Sequence, residues 1–161
     1  MKFSRRSQFV ASLALAGLVA GTAVEAADYQ VYRRGECFGT ICRVDFDPVP
    51  VGKKLRVSHA SCYARAMTPR SYDAGNLYAM QLLLINAGGG VGNALTLSPS
   101  RIAEYRVNSA ETSTISNHIS VYQAHDEVRM FADTFQRFQG YVQIGRGEFE
   151  HVACHISGDL S

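Results

Sequence analysis

Apolar residues recur at every second position over short stretches of this chain, and turn residues interrupt them before a helical period is established. Ile41 to Asp47 shows the pattern plainly, with Cys42, Val44 and Phe46 on one face and Arg43, Asp45 and Asp47 on the other. A two-residue period is the signature of a half-buried strand. Tyr29 to Arg34, Leu55 to Ala66, Ala94 to Leu97, Arg101 to Val107, Ile115 to Gln123, Glu127 to Ala132, Tyr141 to Gly145 and Phe149 to Ser157 alternate similarly or are rich in β-branched and aromatic residues. Leu77 to Asn86 is a nearly continuous apolar run, suited to a buried central strand. Pro48 to Lys53 reads as extended and turn-like because each Pro removes a ladder donor, Thr68 to Asn76 as a polar loop, and Ala87 to Asn93 as a glycine loop. Ser98 to Tyr105, opening on Ser-Pro, is the one stretch with helical character. The pattern predicts an all-β domain, a single two-sheet antiparallel sandwich of jelly-roll type, with a barrel as the alternative.

The first 26 residues read as a signal peptide. Lys2, Arg5 and Arg6 form a positive start, Phe9 to Ala20 is apolar, and Val24 and Ala26 are the small residues before a cut. Ser4 to Phe9 resembles a twin-arginine signal with its Phe one position late, so ordinary export of the unfolded chain is the expectation. The apolar run is short of the roughly 20 residues a membrane-spanning helix needs. Export to the periplasm or beyond the cell explains the four cysteines, an even number in the 135 residues from 27 to 161. Three pairings are possible. Cys37 with Cys42 is favoured because a short Gly-containing loop joins them, leaving Cys62 with Cys154 as the long-range staple.

Removing Lys2, Arg5, Arg6 and Glu25 with the leader reduces a formal charge of +2 to zero, which gives no reason to expect nucleic acid or an anionic membrane as partner. Two stretches resemble a family of small exported proteins of rhizobia and related bacteria. Val49-Pro50-Val51-Gly52-Lys53-Lys54-Leu55-Arg56-Val57-Ser58-His59-Ala60-Ser61-Cys62 is similar to their "VPxGKxLxVxxVSC" stretch. Val152-Ala153-Cys154-His155-Ile156-Ser157-Gly158-Asp159-Leu160 is similar to their terminal "V-x-x-x-SGYL" strand, with Asp159 where an aromatic is usual. The resemblance covers about a sixth of the mature chain and implies the fold, without an activity to carry over.

Several motifs imitate chemistry. Leu82 to Gly92 resembles a dinucleotide loop, but Ala87 replaces the first Gly and Pro99 follows before a helix can form, so no cofactor is expected. His151, Cys154 and His155 suggest a metal, yet on a strand the two His Cα atoms stand roughly 13 Å apart, too far to share one ion. Asp45 with Asp47 and Glu148 with Glu150 are same-face pairs at roughly 7 Å, a spacing glycosidases use, though charged strand edges are the simpler reading.

If Cys62 points inward, the opposite parity exposes His59, Ser61, Tyr63 and Arg65, and the same rule on the last strand exposes His151 and His155. These six form the candidate binding face, provided the two strands share a sheet. The expectation is a non-catalytic module that binds a glycan or a protein partner outside the cytoplasm. Tyr63, Tyr72 and Tyr78 would supply stacking in a chain without Trp. The alternative is a secreted hydrolase using the acidic pairs or the His cluster.

Overall fold

The computed structural model describes residues 27–69, 77–108 and 116–161, and it arranges the alternating segments as ten strands. In chain order these are β1 (Ala27–Arg34), β2 (Glu36–Phe38), β3 (Ile41–Asp45), β4 (Leu55–Pro69), β5 (Leu77–Ile85), β6 (Val91–Thr96), β7 (Ser100–Asn108), β8 (Ser116–Ala132), β9 (Arg137–Ile144) and β10 (Glu148–Leu160). They form two five-stranded sheets, β1-β10-β4-β8-β7 and β2-β3-β9-β5-β6, in which all neighbours are antiparallel. Without the edge strands β2 and β7, β1-β10-β4-β8 faces β3-β9-β5-β6. The chain changes layer at β1–β2, β3–β4, β4–β5, β6–β7, β8–β9 and β9–β10, which is the winding of a jelly roll. The leader, Tyr72 and most of the Thr68 to Asn76 loop lie outside the described residues.

The core fills by matching small residues against large ones. The inward row of β4 is Ala60, Cys62, Ala64 and Ala66, all buried, with Ala124 of β8 level with Cys62 and Ala132 level with Leu55 further along. The opposite layer contributes Val44, Met80, Leu82, Phe138 and Val142, also buried. This division keeps the layers close while leaving space for a disulfide. Cys62 and Cys154 are directly opposed on β4 and β10 and are bonded, as are Cys37 and Cys42 across the β2–β3 hairpin. Gly140 on β9 faces the buried bond from the other sheet; a Cβ there would stand 2.6 Å from Cys154 Sγ. Glycine at this position is a packing requirement of the staple.

Three local readings change. Ser98 to Tyr105 is not helical: Ser100 onward is β7, paired with β8 from Ser100↔Gln123 to Asn108↔Ser116. A helix of one or two turns satisfies too few of its own backbone groups to compete with such a ladder. The expected strands Ile115 to Gln123 and Glu127 to Ala132 are one strand from Ser116 onward, because β4 runs alongside the intervening residues and offers partners throughout. The glycine loop is shorter than expected. Asn86 N–H donates to Gly90 C=O at 2.8 Å, and β6 starts at Val91, so the dinucleotide-like motif is a hairpin turn between antiparallel strands.

Candidate functional site

The outer face of the β1-β10-β4-β8-β7 sheet joins the two rows of candidate residues. Because β10 and β4 are neighbours, His155 is level with Ser61 and His151 with Arg65. Following the register outward gives one row of Tyr32, His155, Ser61 and His125 and a second of Arg34, Ala153, Tyr63 and Gln123. His59 lies one step further along, level with Ser157 and Glu127. Adjacent strands are about 4.8 Å apart, so these rows span roughly 14 Å from β1 to β8. The rings contact one another on diagonals: His59 and His125 stack with centroids 6.4 Å apart, and Tyr63 and His151 meet at 6.0 Å. Arg65 is ion-paired with Glu150 and lies over the Tyr105 ring, 5.7 Å from its centroid.

The face depends on two irregularities of register. Ser58 is an extra residue on β4 relative to β10, between Val57↔Gly158 and His59↔Ser157. The alternation of β4 therefore reverses there: Leu55 and Val57 are buried before the bulge, and Ala60, Cys62 and Ala64 after it. Under unbroken alternation from Val57, with Ser58 as an ordinary strand residue, His59 would face the core. Gly158 makes the bulge possible, since a Cβ on it would fall 1.8 Å from the Arg56 carbonyl oxygen. Glu150 is the extra residue at the other end of β10, between Phe149↔Ala66 and His151↔Arg65.

Sequence reading missed His125, Tyr32, Arg34 and Gln123. The signal for His125 and Gln123 was available in Tyr122-Gln123-Ala124-His125, which alternates around the buried Ala124, but breaking the strand after Gln123 hid it. Nothing in the sequence placed β1 beside β10.

The hydrogen bonding of the two outer faces differs. On the β9–β3 side, Gln139 donates to Asp45 at 2.8 Å, Arg137 pairs with Asp45 at 3.5 Å, and Tyr141 donates to Gln143 at 3.1 Å. On the histidine face, among the described residues, Tyr32, Tyr63, His125, His151 and His155 have no side-chain hydrogen bond, and His59 has only Ser58 Oγ at 3.0 Å. Their polar atoms are available to a ligand.

The candidate chemistries are dispersed. Asp45 ends β3 and pairs with Arg137, Asp47 lies beyond that strand and pairs with Arg33, while Glu148 and Glu150 belong to the other sheet and Glu150 holds Arg65. Glu104 on β7 contacts His118 Nδ1 at 3.6 Å and sits level with Ser120, but Ser120 is 0 % exposed and beyond the reach of a substrate. No group of three or more His, Cys, Asp or Glu among the described residues is placed to hold a metal ion. A cleft of about 190 Å³ opens between Tyr29, Val31, Leu160 and the Pro48 to Pro50 segment. A polar hollow of about 180 Å³ over the bulge, lined by Asp28, Gln30, Ser58, Ser157 and Asp159, adjoins the histidine face. No helix among the described residues is long and apolar enough to cross a membrane.

Fold and face together define a two-layer jelly roll carrying a ring-lined, unengaged sheet surface. No protein-family model and no curated protein sequence matches the chain. Among solved structures, a chain in the structure of infectious bursal disease virus, Gx strain, is similar at 11 % identity and a TM-score of 0.20. That match covers 84 % of this chain and 40 % of the viral one.

Proposed function

We propose that the protein is an exported, non-catalytic binding module whose ligand site is the outer face of the β1-β10-β4-β8-β7 sheet and whose ligand is a carbohydrate. The observation that carries this is the row of Tyr32, His155, Ser61 and His125 beside Tyr63 and His59, planar rings with free polar tips across four adjacent strands. A flat ring surface takes a sugar by stacking against its C–H faces while the tips meet its hydroxyls. Ser61, half-buried, is the small residue at its centre, where a ring of the ligand can settle. Export to the periplasm or the exterior is supported by the leader, by the two disulfides and by the resemblance to small exported proteins of rhizobia.

The test is a glycan array probed with residues 27–161 and with the Y63A/H125A variant. Binding to a defined set of glycans, reduced at least tenfold in the variant, is the expected result. Equal binding by both proteins would place the site elsewhere.

A further inference from the structure

Four of the five histidines, His59, His125, His151 and His155, stand on this one face. We infer that the carbohydrate it takes is acidic, a carboxylate-bearing oligosaccharide, and that protonation of these imidazoles sets the affinity; the inference rests on the carbohydrate reading above. Imidazole is the side chain whose ordinary titration falls between about pH 5 and 8.

The fixed charges around the histidines make this decisive. β1 presents Asp28 and Arg34, and β10 presents Glu148, level with the outward Met67, together with Glu150 and Asp159. β4 presents Arg56 and Arg65, and β8 presents Glu127 and Arg129. The other titratable groups on the face are the phenols of Tyr32, Tyr63 and, from β7, Tyr105. Four guanidiniums therefore meet five carboxylates, which leaves a formal charge of −1. With neutral imidazoles the face carries a formal charge of −1, and each proton taken up moves it toward the +3 of a fully protonated set. Neighbouring strands and alternate residues are separated by about 5–7 Å, inside the roughly 8 Å screening length of physiological salt, so the charges act together on a polyanion.

The experiment is calorimetric titration of residues 27–161 with a tetramer of galacturonic acid and with an uncharged galactose tetramer, each at about pH 5 and about pH 7.5. The acidic tetramer should bind at least tenfold tighter at the lower pH, with an affinity that falls as salt is added, and the neutral one should not respond to pH. The H59Q/H125Q/H151Q/H155Q variant should lose the pH dependence, with its thermal unfolding followed to monitor the fold. An acidic tetramer bound equally at both pH values, or a pH dependence that survives in the variant, overturns the inference and leaves the carbohydrate reading standing. Preference for the neutral tetramer does the same. Failure of both sugars at both pH values overturns the carbohydrate reading itself.

Discussion

At the scale of single residues, the positions that matter most are those whose neighbours forbid a substitute. Gly140 is one, since an added Cβ would meet Cys154 Sγ at 2.6 Å and Val44 Cβ at 3.2 Å. The G140A variant should lose about 1–3 kcal/mol of stability in urea unfolding. In a C62A/C154A background that penalty should fall by at least half, because the sulfur it strikes is gone. An unchanged penalty would mean that the disulfide is not what requires glycine. Tyr29 is a second case. Burial pushes its phenol above the ordinary 10.0, Asp47 adds to the shift, and Arg33 opposes it. The folded chain therefore keeps a proton that the unfolded chain has already released. This contribution to stability is complete below about pH 10 and is lost as pH rises through the higher folded value. The Y29F variant should show a shallower decline of melting temperature in that alkaline range than the parent protein, and parallel curves would refute the assignment.

At the scale of elements, alternation made the strands legible, and parity from one cysteine correctly selected His59, Ser61, Tyr63 and Arg65 as one outward row. It succeeded because all four lie beyond the Ser58 bulge; carried back to Val57 the same rule would have pointed a buried valine at solvent. Bulges are invisible to a fixed period, since one extra residue reverses every side chain after it. The helical reading of Ser98 to Tyr105 had the opposite flaw. It weighed local propensity at a place where a long-range partner, β8, determines the outcome. The importance of the Ser157-Gly158 pair follows from the bulge as well. G158A should cost about 2–4 kcal/mol, because its methyl would collide with backbone rather than with a flexible side chain. Amide hydrogen exchange should show faster exchange at Val57 to Ser61 in that variant, while β5 and β9 keep their protection. A uniform increase across both sheets would indicate that the bulge is not a local device.

At the scale of the whole molecule, the jelly-roll order places in contact strands that are far apart in sequence. β10 lies between β1 and β4, and Cys154 is bonded to Cys62 across 92 positions. The pairing of cysteines was readable from sequence because a short loop singled out one partner. The adjacency of β1, β10, β4 and β8, which builds the face, was not readable, because it is a property of winding rather than of any segment. Replacing Cys62 and Cys154 together by Ala should lower stability by about 2–5 kcal/mol, whereas the same change at Cys37 and Cys42, which close a five-residue separation, should cost less. The reverse order in denaturant unfolding would contradict the view that the long-range bond is the principal staple. The claim on which the functional account turns is that the ligand lies across the outer face of the β1-β10-β4-β8-β7 sheet. Its most direct test is a two-dimensional NMR titration of residues 27–161 with the acidic tetramer at about pH 5. The account predicts shift changes concentrated on Tyr32, His59, Ser61, Tyr63, His125 and His155, and changes confined instead to the β2-β3-β9-β5-β6 sheet or to the cleft beside Tyr29 and Leu160 would contradict it.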